Sequence, residues 1–307
     1  MNLRKIKVIV LKGGWSSERE ISLKSGASVE KGLKKEGFNV CSFDIKNISS
    51  VKSLIDKKID VCFIALHGKF GEDGTIQAIL EGLDIPYTGC GVLSSALCMN
   101  KIFSKKLFVQ ENIPTAKFWV FDSFSLEDKG LCKKIQNEFP VVVKPCDSGS
   151  AIGVSIVKNK KAFKKAVFSA LKHSKKIIIE KYVEGKEISI GVLEGKALPV
   201  IEIRPKRAFY DYTAKYTKGA CDHIIPAELK KNIYKKVQAI AVRTCDILDV
   251  RDYARVDMIV EGSKINVLEV NTLPGMCDIS LFPEAAKAAG LNFEKLVKKM
   301  VKLALEH

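Results

Sequence analysis

The 307-residue sequence contains no apolar run of the roughly 18 residues needed to span a bilayer, and its amino terminus lacks the basic, apolar and small-residue order of a signal peptide. No membrane partner is expected from this, and a cytoplasmic location is. A Cys-x-x-Cys pair is also missing. The nine cysteines sit singly, in apolar runs such as Val61-Cys62-Phe63, a pattern that reads as buried free thiols in a reducing compartment instead of disulfides or zinc. The formal charge of +16 raises nucleic acid as a partner. Finger spacing, an aromatic RNA-binding signature and an Arg-rich arm are all missing, however, and the lysines spread along helix faces, as in Lys160-Lys161-Ala162-Phe163-Lys164-Lys165 with Phe163 and Val167 on the opposite stripe. The expectation is a solvated Lys surface with weak attraction for anionic substrates and no nucleic-acid partner. Two familiar nucleotide loops are lacking as well. Gly13-Gly14 is not part of G-x-G-x-x-G, and no G-x-x-x-x-G-K-[ST] opens a helix.

What the sequence does contain is a soluble globular pattern, 47% hydrophobic and long enough for two or three packed domains. Ile6 to Leu11 is an apolar run ending at Gly13-Gly14; Ser17 and Glu20 have capping-box spacing, and Ile21, Val29 and Leu33 continue a helical stripe. Val40 to Phe43, a short helix near Leu54 and Val61 to Leu66 repeat the theme of an open parallel α/β unit, whose ligands sit at the carboxyl ends of the strands. Two polar clusters fall at those ends: Trp15-Ser16-Ser17-Glu18 and His67-Gly68-Lys69-Phe70-Gly71-Glu72-Asp73-Gly74. Alone, Glu18 reads as a first-turn acid favoured by the helix dipole, and His67 as a turn residue.

A helix is expected from Ser94 to Val109, an extended run from Phe118 to Phe121, and a helix around Leu131 to Asn137. Val141-Val142-Val143-Lys144 then leads into Cys146-Asp147-Ser148-Gly149-Ser150-Ala151 and a strand over Val154 to Val157. A small-residue loop between two strands can fold its backbone N–H groups over phosphates. Ile177 to Val183 reads as a strand with polar residues at its end, and Ile188 to Leu193 and Val200 to Ile203 as further strands. Arg204 to Gly219 has no clean period and is rich in aromatics and cations, as lids often are. A helix is expected to begin at Pro226.

The densest polar pattern lies in two runs joined by Glu261-Gly262-Ser263-Lys264. Ala254, Val256, Met258 and Val260 alternate with Arg255 and Asp257, and Leu268 and Val270 with Glu269 and Asn271. Paired as a hairpin, the runs bring Arg255, Asp257, Glu269 and Asn271 onto one surface, within reach of hard cations bridged by carboxylates. The Pro274-Gly275 turn that follows offers backbone N–H groups. Metal and anion binding is the chemistry such a cluster suits.

These motifs together resemble the D-alanine–D-alanine ligases of the ATP-grasp superfamily. The resemblance covers nearly the whole chain. It rests on Gly13-Gly14-Trp15-Ser16-Ser17-Glu18-Arg19-Glu20-Ile21-Ser22-Leu23, Leu66-His67-Gly68 with Gly71-Glu72-Asp73-Gly74, Tyr210-Asp211-Tyr212 with Lys215-Tyr216, and Asn271-Thr272-Leu273-Pro274-Gly275-Met276. It implies a mixed α/β, three-domain ATP-grasp fold with an N-terminal open parallel α/β domain: 1–88 for substrate, 89–183 and 184–307 as the two ATP-grasp subdomains, with a lid over 205–220. It also implies a homodimer, and ligation of two D-alanines through a D-alanyl phosphate for peptidoglycan precursor synthesis. The alternatives are a ligase making the D-alanyl-D-lactate ester, against which Lys215-Tyr216 stands, or another ATP-grasp carboxylate-amine ligase.

By the same resemblance, Asp257, Glu269 and Asn271 correspond to ligands of two Mg2+ or Mn2+ ions. Arg255 and the Gly275 N–H correspond to oxyanion stabilisers. Lys101, Lys144 and Lys215 match phosphate contacts, and Ser148, Gly149, Ser150 and Ala151 the flap. Glu180, Lys181, Tyr182, Val183 and Glu187 fall where adenine and ribose are held, with Phe209 against the base. Glu18 corresponds to the acid that pairs with the ammonium of the first D-alanine and is linked to Ser150 and Tyr216; His67 is substrate-side, and Ser280 and Leu281 hold the second carboxylate. Three positions depart from the family pattern: Asn100 for a common Asp, Ser148 for a usual Glu, and Cys277 for a common Thr.

Overall fold

The computed structural model describes residues 3–54, 58–122, 135, 137–206, 220–277 and 280–307. Three sheets organise them. The first is parallel, β1 (Lys7–Gly13) lying between β2 (Asn39–Ile45) and β3 (Val61–Ile64). The helix Arg19–Lys35 connects β1 to β2 and buries Ile21, Val29 and Leu33. Apolar side chains on both faces of β1 account for this burial, as a parallel strand covered on two sides requires. Both β1 and β3 deliver polar loops from their carboxyl ends, Trp15 to Glu18 from one and His67 to Gly74 from the other.

The second sheet is antiparallel, in the order β4 (Phe118–Asp122), β7 (Lys176–Lys181), β5 (Val141–Pro145), β6 (Ser155–Val157). The helix Lys160–Leu171 lays Phe163, Ala166, Val167 and Ala170 on one face of it. Its lysines occupy the other side of the helix, where water solvates them.

The third sheet carries β8 (Lys186–Leu193), β9 (Lys196–Ala197), β10 (Ile201–Pro205), β11 (Cys221–Ile224), β12 (Tyr253–Glu261) and β13 (Lys264–Asn271). Its order is β11-β10-β8-β12-β13, with β9 paired to β8. Ile188, Ile190, Val192, Ala254, Val256, Met258 and Val260 make one apolar face, packed against Ile233, Val237 and Ala241 of the helix Lys231–Ile247. The helices Leu281–Ala288 and Phe293–Ala304 close the chain. The latter buries Leu296, Val297, Met300, Val301 and Ala304, the spacing of one helical face, with Gly32 of the first helix in close approach to Phe293 and Val297. No helix among the described residues is long and apolar enough to cross a membrane.

Local structure departs from the sequence reading in four places. The first helix begins at Arg19 with Glu18 at its N-cap, so the spacing of Ser17 and Glu20 makes no capping box, and the Glu18 side chain makes no capping bond. The stretch from Ser94 to Val109 is two helices, Val92–Met99 and Lys101–Gln110. Asn100 breaks it: its extended backbone ends one helix, and its side-chain oxygen accepts from the N–H groups of Ile102 and Phe103 to start the next. Pro226 does not start a helix, because Ala227 N–H bonds to the Val200 carbonyl beside the sheet and the helix waits until Lys231. The expected helix around Leu131 to Asn137 lies almost wholly outside the described residues, and the proposed lid over 205–220 mostly does.

The fourth departure shapes the site. The hairpin turns at Gly262, whose φ of +60° suits glycine, but its ladder carries a bulge. Asp257 pairs with Glu269 while the next residue, Met258, pairs with Val267, leaving Leu268 as the extra residue. Leu268 therefore does not join Val270 in the core; Val267 takes that place, and Leu268 lines a cleft with Ile259. Met258→Ala, in a fully buried position, should cost about 2–5 kcal/mol of stability in denaturant unfolding. Leu268→Ala should cost clearly less, and the opposite ranking contradicts this register.

Candidate active site

The four polar residues of the hairpin face the same way because of the pairing just described. Arg255 stands opposite Asn271 and Asp257 opposite Glu269, while the other neighbour, β8, puts Ser189 beside Asp257 and side-chain-free Gly191 beside Arg255. Arg255 grips Asp257 with both ends of its guanidinium, Nε to Oδ1 at 2.9 Å and Nη2 to Oδ2 at 2.8 Å. Ser189 donates to the same Oδ1 at 2.7 Å. Asp257 is 6% exposed, and these bonds compensate its carboxylate for the lost water. Asn271 Oδ1 accepts from Leu273 N–H at 2.9 Å, which turns the chain into the Pro274-Gly275 loop.

Lys101 joins this surface to the flap. Its Nζ lies 3.1 Å from Glu269 Oε2 and donates to the Ser148 carbonyl at 2.9 Å. Burial opposes its charge, but Glu269, with further help from Glu180 and Glu72, outweighs burial and holds its pKa above the usual lysine value. Two carboxylates and an amide oxygen on adjacent strands are a donor set for a hard cation. Among the described residues no group of three His, Cys, Asp or Glu converges on one point, so such a cation would complete its shell with ligands such as Asn271, water or phosphate oxygens.

Across from the hairpin, Glu180 ends β7 in a buried cluster of charge. Lys144 Nζ is 2.8 Å and Lys105 Nζ 3.4 Å from its Oε1. Burial raises the Glu180 pKa, yet the two ammonium groups prevail and keep it ionised, below the usual carboxylate value. Lys105 is fully buried, also donates to Thr115 Oγ1 at 2.5 Å, and is brought down to about 8 by burial, with Lys144 adding repulsion and Glu180 opposing it. The cleft between this cluster and the hairpin has apolar walls: Ala116, Val142, Val154 and Ile156 on one side, Ile259 and Leu268 on the other. Lys181, Tyr182, Val183 and Glu187 border it, as do Ser148, Gly149 and Ala151. Lys181 turns its ammonium to the Glu138 carbonyl at 2.6 Å.

A second pocket opens on the far side of Lys101 and Glu269, which line both. Glu18, His67, Gly149, Ser150, Arg255, Asn271, Gly275, Ser280 and Leu281 surround it. Ser150 donates its hydroxyl to Glu18 Oε1, and the glycines on either side of this carboxylate are a steric requirement: a Cβ at Gly149 would stand 2.8 Å, and one at Gly68 2.7 Å, from Oε2. Ser150 and Ala151 adopt left-handed φ of +50° and +57°, backbone strain in the middle of the flap. His67 is held at both ring nitrogens, with Nε2 3.2 Å from Ser25 Oγ and Nδ1 3.4 Å from Glu72 Oε1. Glu72 can only accept, so Nδ1 carries the ring hydrogen toward it and Nε2 accepts from the Ser25 hydroxyl, whose oxygen accepts from Met276 N–H at 3.1 Å. Ser280 Oγ in turn accepts from Cys277 N–H at 3.1 Å, closing the loop after Gly275.

The residues expected from the sequence thus fall around two adjoining pockets, except Phe209, Lys215 and Tyr216, which lie outside the described residues. Sequence reasoning missed Lys105, Ser189, Ser25 and the ion-pair partner Glu72. A signal existed for two of them. Lys105 is one helical turn beyond Lys101, and Glu187, Ser189 and Gly191 alternate with Ile188, Ile190 and Val192.

Lys105 gives a pH test. In the unfolded chain it titrates near 10.5 and in the fold at about 8, so between these values the unfolded state binds the proton that the folded state has lost. Stability from this group therefore rises with pH across that window, by at most about 1.4 kcal/mol per pH unit. Lys105→Met should flatten the slope of urea-unfolding free energy against pH there; an unchanged slope contradicts the burial argument.

Comparison with known proteins covers the chain almost from end to end. The family model for the D-ala D-ala ligase C-terminus matches residues 107–302, and that for the N-terminus residues 47–90. A D-alanine–D-alanine ligase of Geotalea uraniireducens is 45% identical over 304 residues, covering 98% of this chain and 96% of the relative. One from Clostridium botulinum is 45% identical over 301 residues, covering 98% and 99%. The crystal structure of the Bacillus anthracis enzyme superposes with a TM-score of 0.89 at 36% identity, and its complex with ATP with 0.87 at 33%, each covering 98% of both chains. The chain belongs to the D-alanine–D-alanine ligase family and has the ATP-grasp fold.

Proposed function

We propose that the protein uses ATP to join two D-alanines into D-alanyl-D-alanine for peptidoglycan precursor synthesis. The observation that carries this reading is the sharing of Lys101 and Glu269 by two adjoining pockets, one apolar with a buried Lys-Glu-Lys cluster, the other polar and lined by Glu18, Arg255 and Ser280. A nucleotide in the first would present its terminal phosphate at the mouth of the second.

In this reading the adenine lies between Ile259, Leu268 and the walls of the second sheet, with Glu180 and the 181–183 backbone at its edge, Phe209 on its face and Glu187 on the ribose. Lys101, Lys144, Lys215 and the Ser148 to Ala151 backbone hold the phosphates. Asp257, Glu269 and Asn271 would hold two Mg2+ or Mn2+ ions, which supply charge neutralisation at the phosphates when bound. Glu18, oriented by Ser150 and joined by Tyr216, pairs with the ammonium of the first D-alanine, and the carboxylate of that D-alanine takes the phosphoryl group from ATP. Ser280 and the N-terminus at Leu281 hold the carboxylate of the second, with His67 alongside. Its amine attacks the acyl phosphate, Arg255 and Gly275 N–H stabilise the tetrahedral oxyanion, and phosphate leaves. No enzyme nucleophile is needed. The three sheets support a division at 1–88, 89–183 and 184–307; the lid over 205–220 rests on the family resemblance, and the unit is proposed to be a cytoplasmic homodimer.

A coupled ADP-release assay across D- and L-amino acids tests both energy source and acceptor. ADP formation is expected with D-alanine alone; its absence contradicts the reading. With D-alanine and D-lactate together near neutral pH the dipeptide should predominate, and a predominant ester would make the protein a depsipeptide ligase instead. Arg255→Ala should lower kcat by about 10²–10³ with little change in ATP affinity, and Asp257→Asn should lower turnover through weakened metal binding. Wild-type turnover in either variant at saturating ATP and magnesium removes that residue's assigned role.

A further inference from the structure

We propose that Cys221 is an activated thiol, a modification site at the edge of the third sheet that exchanges with small carboxylate-bearing disulfides. The site is separate from the two pockets above and stands independently of the proposed reaction. Among the described residues β11 is the terminal strand of its sheet, paired with β10. Cys221 and His223 are two residues apart on it and so project from one face. The Cys221 Sγ lies 3.3 Å from His223 Nε2, and His223 Nδ1 lies 2.5 Å from Glu284 Oε2 in the first turn of the helix Leu281–Ala288.

A carboxylate can only accept, so Nδ1 carries the ring hydrogen toward Glu284 and Nε2 is left to take the thiol proton. Nucleophile, base and orienting carboxylate then stand in line, the arrangement that activates cysteine elsewhere. Cys221 is half-buried, not sealed, and beside it His223, Ile225, Glu284, Lys287 and Ala288 line a shallow depression. Lys287 supplies a cation on its wall for a ligand carboxylate.

The other described cysteines differ in kind. Cys62, Cys90, Cys98, Cys146 and Cys245 are buried, and burial pushes Cys62 and Cys90 up to about 12, where the thiolate is scarce. Cys41 is exposed, and Cys277 rests on the Ser280 hydroxyl. Among the described cysteines Cys221 alone has an imidazole within hydrogen-bonding distance.

The exchange balances without a further oxidant. The Cys221 proton passes to His223 Nε2, the thiolate attacks one sulfur of the disulfide, and the S–S bond to the other half breaks. That half leaves as a thiolate and recovers the proton from the imidazolium. Among the described residues the charged groups around His223 are Glu284 and Lys287 from the helix; on the strands, Asp222 pairs with Lys206 at 3.1 Å and Arg204 with Glu202 and Glu228.

The test uses the full chain with limiting glutathione disulfide, and separately iodoacetamide, with modified peptides mapped by mass spectrometry. At pH 7 an unassisted thiol is only a few per cent ionised, so Cys221 should react about tenfold faster than Cys41. His223→Gln should remove that advantage at pH 7 but not near pH 10, and Glu284→Gln should reduce it, while the Cys41 rate in each variant stays constant. If a variant fails to fold, the wild-type pH profile decides. A Cys221 rate that levels off below pH 7 supports activation, and one that falls about tenfold per pH unit overturns it. Reaction of Cys221 no faster than Cys41, or unaltered by His223→Gln, also overturns it.

Discussion

The buried ammonium of Lys101 is the contact on which the candidate site depends. It comes from the first residue of a helix, reaches a carbonyl of the Ser148 flap and touches a carboxylate of the β12–β13 hairpin. Three separate parts of the chain therefore meet at one charge. Asn100 sets that reach by ending the preceding helix and capping the next, so that Lys101 enters the interior instead of continuing along a solvated face. Without a cation there, Glu269 and the flap carbonyl would confront each other in a place with little water to separate them.

The same logic runs through the rest of the site. Asp257 has Arg255 and Ser189, Glu180 has Lys144 and Lys105, Glu18 has Ser150, and His67 has Ser25 and Glu72. Buried ionised groups add little net stability even when paired, but breaking one pair exposes the full desolvation cost of its partner. Such a network suits a site that must keep fixed charges in position before a polyanion arrives. Close glycine packing serves the same end, since Gly68 and Gly149 let two loops approach the Glu18 carboxylate from both sides.

Much of this was legible in the sequence for a definite reason. Strand alternation has a period of two, so the polar row Arg255, Asp257, Glu269 and Asn271 could be read before any pairing was known. The Trp15 to Glu18 and His67 to Gly74 clusters also lay at the carboxyl ends of parallel strands, where ligands collect. What escaped reading was set by tertiary contacts. The bulge at Leu268 is a register event between two strands and leaves no trace in either alone. On its own Glu18 reads as a first-turn helix acid, and only the family resemblance ties it to Ser150, more than a hundred residues away. Pro226 looked like a helix start, yet the sheet's hydrogen bond to Ala227 holds the chain extended.

The account stands on Asp257, Glu269 and Asn271 acting together on a metal-bound nucleotide. The most direct measurement is the binding of Mn2+ in the presence of a non-hydrolysable ATP analogue, followed by electron paramagnetic resonance in the wild-type protein and in Glu269→Gln. The account predicts analogue-dependent Mn2+ binding in the wild type and its marked weakening in the variant. Undiminished binding in Glu269→Gln, with the fold intact, would contradict it.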